Sequence, residues 1–147
     1  MADYFVEKAT VADLPRILAL EEQCFSDAWS ESALLSQING EFYLTFVLKT
    51  EEGELLGYIS GSLLDTEAEI FRVATDESRR RQKIGSTLVS HFISYVKEKG
   101  CSQIFLEVRE SNTPARALYT SLGFAENGVR RGYYKNPKED AILLSRH

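Results

Sequence analysis

Arg79-Arg80-Arg81-Gln82-Lys83-Ile84-Gly85-Ser86 separates two stretches whose apolar residues recur with different periods. Before it, Glu69 to Thr75 (EIFRVAT) has the β-rich composition of a strand and closes on the polar turn Asp76-Glu77-Ser78. After it, Ile84, Leu88, Val89, Phe92, Ile93 and Val96 fall at three- and four-residue steps, the spacing of one helix face. The basic run is therefore a strand-to-helix turn with Gly85 in the first turn of the helix. Backbone N–H groups at a helix start lack internal partners, and the helix dipole adds partial positive charge. Arginines and a glycine at such a turn suit a phosphate or pyrophosphate; a solvated basic turn that only caps the helix fits the same residues.

The commoner phosphate loops do not fit. A Walker loop needs Gly-Lys-Ser/Thr after an earlier glycine, whereas Lys83 precedes Gly85 here, and a dinucleotide fingerprint needs three glycines where this turn has one.

Working outward, Tyr4–Lys8 is a short strand, and Thr10 to Asp13 caps a helix running through Ile17, Leu18 and Leu20 towards Cys24, with Pro15 in its first turn. Ser30-Glu31 starts a second helix ending near Gly40. Phe42–Lys49 and Leu55–Leu64 form a hairpin about Glu51-Glu52-Gly53-Glu54, and a third strand runs from about Glu67 to Ala74. The helix after the basic turn ends at Lys97-Glu98-Lys99-Gly100. Ile104-Phe105-Leu106-Glu107-Val108 reads as a strand buried on both faces. Asn112 to Leu122 is a helix closed by Gly123, and Phe124–Tyr134 with Ala141–Ser145 forms a last strand pair. The order β-α-α-β-β-β-α-β-α-β-β predicts one α/β domain over residues 1–147, a mixed sheet with a central βαβ unit.

With 147 residues, 44% of them hydrophobic, the chain builds one core, and no apolar run is long enough to span a membrane. The segment MADYFVEKAT has no apolar signal region. Cys24 and Cys101 show neither CxxC spacing nor histidine partners, so no metal and no disulfide framework is expected. A net charge of −5 argues against nucleic acid as the partner.

Glu107 stands out because a carboxylate in an apolar strand is costly to desolvate. It is either set for chemistry or paired with an arginine such as Arg72 or Arg109, or it faces water at a sheet edge. Asn112 on its own reads as a helix cap, and Tyr119 as a core aromatic with its hydroxyl towards solvent.

Together these segments resemble the GNAT family of N-acetyltransferases, known for the turn signature R/Q-x-x-G-x-G/A. Arg80 takes its first place, Gly85 its last and Lys83 that of the first glycine; Lys83 is expected in a conformation open to other residues, its side chain turned from the phosphates. Within the family the likeness is closest to the enzymes that acetylate the N-terminal alanine of a small-subunit ribosomal protein. It rests on Leu106–Asn112, Ala117–Phe124, Arg130–Tyr134 and Glu139-Asp140-Ala141; around Phe25 and Trp29 the chain carries extra residues and no proline.

The resemblance implies that a cosubstrate, acetyl-CoA, lies between the fourth and fifth strands. Val73, Ala74 and Thr75 would offer it backbone groups, Arg81, Gln82, Lys83, Ile84, Gly85 and Ser86 would hold its pyrophosphate, and Asn112 would touch its pantetheine. Glu107 would be the general base and Tyr119 the general acid, with Phe25, Trp29, Tyr133 and Tyr134 around the acceptor; for Phe25 and Trp29, packing alone is an equal alternative. A cytoplasmic monomer acting on a ribosomal-protein N-terminus without metal, membrane or nucleic acid is the resulting expectation. A lysine or small-amine acceptor, or a CoA-binding module without catalysis, are the rivals.

Overall fold

Alternation along the strands and the three-four spacing of the helices assign each side chain to one of two cores on opposite faces of a single sheet. The computed structural model describes residues 4–79 and 83–147. The strands are β1 (Tyr4–Lys8), β2 (Tyr43–Thr50), β3 (Leu55–Leu64), β4 (Glu67–Thr75), β5 (Gln103–Arg109), β6 (Ala125–Tyr134) and β7 (Glu139–Arg146). The helices are α1 (Leu14–Cys24), α2 (Glu31–Asn39), α3 (Ile84–Glu98) and α4 (Thr113–Ser121). The order matches the sequence reading, with a 3-10 turn at Val11–Asp13 before α1, where Asp13 Oδ2 accepts from the Thr10 N–H at 2.9 Å.

The seven strands run in the order β1-β2-β3-β4-β5-β7-β6, and all neighbours are antiparallel except β4 and β5. On one face α3 buries the apolar stripe read from its sequence, from Ile84 to Val96, against Phe46, Ile59 and Ile70. On the other, α1 and α2 bury Ile17, Leu20 and Leu34 against Val47, Tyr58 and Ala74. This second core involves β2, β3 and β4, and β5 contributes nothing to it.

That asymmetry corrects the expectation for β5. Ile104, Leu106 and Val108 are buried, while Phe105 is exposed and Glu107 half-buried. The strand alternates, with one face in the α3 core and the other open. Glu107 belongs to the open face and escapes the desolvation that a two-sided strand would impose.

A bulge sets the geometry of β4. Gly61 pairs with Ile70 and Ser60 with Arg72, leaving Phe71 as the extra residue. The alternation is thereby broken: Phe71 packs on Trp29 and Tyr43, and Arg72 also reaches the α1 side. The strand opposite must be a glycine at position 61, since a Cβ there would collide with the Glu69 carbonyl and the Phe92 ring.

Candidate active site

The pairing of β4 with β5 runs from Glu67↔Gln103 to Ile70↔Leu106 and then stops. β4 continues along β3 to Thr75, and β5 continues along β7 to Arg109. The two strands part beyond the bulge, so Arg72–Thr75 pair with a strand on one side only. A cavity of about 400 Å³ fills the divergence, lined among others by Val73, Thr75, Gly85, Glu107, Asn112 and Tyr119.

At the mouth of this cavity α3 begins. Lys83, its N-cap, has φ 61° and ψ 24°, the left-handed region that favours glycine. The glycine position of the signature is thus occupied by a lysine in a glycine-like backbone. Its carbonyl accepts from the Ser86 hydroxyl at 3.1 Å and the Thr87 hydroxyl at 2.7 Å. Gly85 faces the cavity: a Cβ built there would meet Leu118, Thr75 and Val73 only at 3.6 to 4.0 Å. Arg80, Arg81 and Gln82 lie outside the described residues.

Several of the expected residues have side chains engaged within the fold. The Ile84 side chain is in the α3 core and that of Ala74 in the α1 core. Ser86 donates its hydroxyl within the helix, and Asn112 uses its side-chain oxygen to cap α4 through the Ala115 N–H at 3.2 Å.

Glu107 pairs with Arg130, at 3.3 Å between Oε1 and Nη1, rather than with Arg72 or Arg109. Those two arginines are engaged elsewhere, Arg72 with Glu21 and Asp27, and Arg109 with Glu139. Across the cavity Tyr119 is buried edge-on against Phe124, with ring centroids 5.5 Å apart, and burial holds its phenol well above the usual value. Its hydroxyl carries its proton throughout the neutral range.

A second cavity, of about 590 Å³, also borders Glu107 and is lined among others by Trp29, Glu69, Tyr133 and Tyr134. The two share Asp27, Phe71, Arg72, Glu107 and Tyr134, so Glu107 stands where they meet. Tyr133 and Tyr134 arrive there through a second irregularity, between Arg130↔Ala141 and Tyr134↔Glu139. Gly132 turns this segment at φ 61°, and its N–H donates to Asp140 Oδ1 at 2.7 Å. Arg109 lies 4.4 Å from the centre of the Tyr134 ring. Burial first, then the Glu107 charge, pushes the Tyr134 phenol up to about 12. Burial and a hydrogen bond to Glu107 also raise Tyr133.

Phe25 and Trp29 both pack and line: each stacks on the Arg72 guanidinium, and each faces one of the cavities. The sequence reading missed what holds them. Glu21, fully buried, accepts from Arg72 Nη1 at 2.7 Å, from the Trp29 N–H at 2.8 Å and from the Tyr58 hydroxyl. The available signal was that Glu21 extends the stripe of Leu14 and Ile17 on α1, where an apolar residue belongs.

Among the described residues there is no cluster of three or more metal-binding side chains, and no helix is long and apolar enough to cross a membrane.

A parallel strand pair that splays over a helix N-terminus, with a carboxylate and a protonated phenol at the opening, defines an acyl-transfer fold. The chain belongs to the acetyltransferase (GNAT) family, whose pattern it matches over residues 14–124, and is an N-acetyltransferase. It is 36% identical over 142 residues to the [ribosomal protein bS18]-alanine N-acetyltransferase of Escherichia coli K12, covering 95% of each chain. The crystal structure of the ribosomal-protein-S18-alanine N-acetyltransferase from Escherichia coli superposes with a TM-score of 0.90 at 35% identity, over 98% of this chain and 93% of that one. Ard1 from Thermoplasma volcanium superposes at 0.87 with 25% identity, over 97% and 96%.

Proposed function

We propose that residues 1–147 form a single domain that transfers acetyl from acetyl-CoA to the N-terminal alanine of a small-subunit ribosomal protein. The observation that carries this reading is the place of Glu107, on the wall shared by two cavities. One suits a thioester and its pantetheine, the other a peptide N-terminus. Similarity to bS18-alanine acetyltransferases along nearly the whole chain supports the choice of acceptor.

Acetyl-CoA extends from the start of α3, its pyrophosphate on the N–H groups of the Lys83–Ser86 turn. Its pantetheine follows the unpaired edge of Val73, Ala74 and Thr75 and passes Asn112. The α-amine approaches through the second cavity, between Phe25 and Trp29 on one side and Tyr133 and Tyr134 on the other. Glu107 takes a proton from the amine, directly or through water, and the nitrogen attacks the thioester carbonyl carbon. A backbone N–H of β4 stabilises the oxyanion. Collapse breaks the C–S bond, and Tyr119 protonates the departing thiolate. Transfer is direct, with no acetyl on Cys24 or Cys101.

An α-amine titrates near about 7.7–8.0 and a lysine amine near about 10.4, so the lysine costs roughly 3 kcal/mol more to deprotonate at neutral pH. The α-amine is the cheaper acceptor for a single carboxylate base. The enzyme acts as a monomer, and a ribosomal acceptor implies the cytoplasm. Intact-mass analysis of ribosomal proteins from cells lacking this chain tests the assignment. One small-subunit protein with N-terminal alanine is expected to lose an acetyl group; an unchanged small subunit would refute the acceptor.

A further inference from the structure

Arg72 touches Glu21 of α1 and Phe25, Asp27 and Trp29 in the segment that joins α1 to α2. Its guanidinium bonds Glu21 at 2.7 Å, the Asp27 carbonyl at 3.2 Å and the Asp27 carboxylate at 3.1 Å. Its centre also lies 4.5 Å from the Phe25 ring and 4.1 Å from the Trp29 ring. A planar fork that stacks on aromatics while bonding carboxylates can hold all these groups at once, which an ammonium cannot. The bulge at Phe71 is what delivers it, because unbroken alternation from Ile70 would send Arg72 to the α3 face.

The anchor beneath is buried. Glu21 has no exposed surface and also holds the Trp29 N–H, so backbone and ring of Trp29 are fixed from one origin. Asp27, by contrast, is largely exposed.

We propose that Arg72 is the positioning residue of the acceptor wall: by stacking Phe25 and Trp29 against buried Glu21, it sets the width of the opening that admits the acceptor's first residue. Arg72 exchanges no proton with the substrate; it acts through the rings it holds. The inference rests on the reading of the second cavity as the acceptor site.

The test uses the full chain and peptides that begin with Ala or with Leu. Arg72→Lys keeps the charge and loses the fork and the stack. The peptide KM is expected to rise about tenfold, with kcat changed less than about threefold. The preference for Ala over Leu is expected to collapse to near unity, because a wall no longer held does not discriminate by fit. Trp29 is the only tryptophan of the chain, so its emission reports the wall without any acceptor. It is expected to move to longer wavelength as the ring loses its stack.

Asp27→Ala, at the exposed end of the clamp, keeps the buried pair and remains informative if Arg72→Lys does not fold. It is expected to move KM and the Ala/Leu ratio in the same direction, by about threefold. Unchanged Ala/Leu ratio and unchanged emission in folded variants would overturn the proposal, even with a lowered melting temperature. If the wild type acetylates neither peptide, the proposed acceptor fails. The clamp is then judged by emission alone, and an unshifted Arg72→Lys spectrum rejects it.

Discussion

Glu21 and Glu107 are both carboxylates facing an arginine, and they could hardly be more different. Glu21 has no exposed surface and meets Arg72, Tyr58 and the Trp29 backbone. Glu107 has 22% of its side chain exposed, and its partner Arg130 is 54% exposed. The first pair is shut in, and removing either partner leaves a buried group without its complement. The second is partly open to solvent and contributes little to stability. A carboxylate that must exchange protons needs the second setting. One that must hold a wall needs the first.

The largest effect that would sharpen this contrast is on turnover. Glu107→Gln is expected to fold and bind CoA normally yet lose about a hundred- to ten-thousand-fold in rate, and Tyr119→Phe should behave alike. Steady-state rates beside CoA titrations measure this; either variant within a few-fold of wild type would assign that proton to another group.

Glu21→Ala should do the opposite in kind, destabilising the fold by about 3 kcal/mol because Arg72 keeps only the exposed Asp27 as partner and the Tyr58 hydroxyl and Trp29 N–H lose their acceptor. Urea unfolding of this variant beside Glu107→Gln measures the contrast directly. Equal losses from both would erase the distinction.

The phenols give a pH signature. Burial raises the folded values of Tyr119 and Tyr134, the latter to about 12, so the folded state retains phenolic protons that the unfolded chain releases. Their contribution to stability is complete below the unfolded value near about 10 and is lost as pH rises beyond it. Melting temperatures between pH 8 and 11 should fall on the alkaline side, less steeply in Tyr134→Phe.

The smallest expected effect lies at the start of α3. Lys83 has left-handed backbone angles, so Lys83→Gly should relieve about 1 kcal/mol of backbone cost, visible as a higher urea midpoint. An unchanged or lower midpoint would mean that the lysine side chain compensates.

Much of this molecule is written in local pattern. The change of period on either side of Arg79–Ser86 marks the β4–α3 junction. The stripe of α3, the caps Ser30 and Asn112, and the glycines at positions 53, 100 and 123 follow local rules of turn and helix chemistry. The bulge at Phe71 leaves no such mark, because nothing in EIFRVAT says that two neighbouring side chains share a face. Glu107 could be singled out, but its surroundings could not. Ile104–Val108 has the composition of a two-sided strand, and its open face exists only because α1 and α2 cover β2 to β4 and stop there. Arg130, its partner, lies on β6 and reaches it because β7 inserts between β5 and β6. Glu21 drew no notice in the sequence, and only the fold puts it inside.

The central claim is that the open carboxylate serves an α-amine. A peptide with N-terminal Ala and one internal Lys, incubated with enzyme and acetyl-CoA and fragmented in the mass spectrometer, puts both acceptors in one molecule. Acetyl on the α-amine is expected, with no reaction once that amine is blocked. Label chiefly on the lysine side chain would contradict the account.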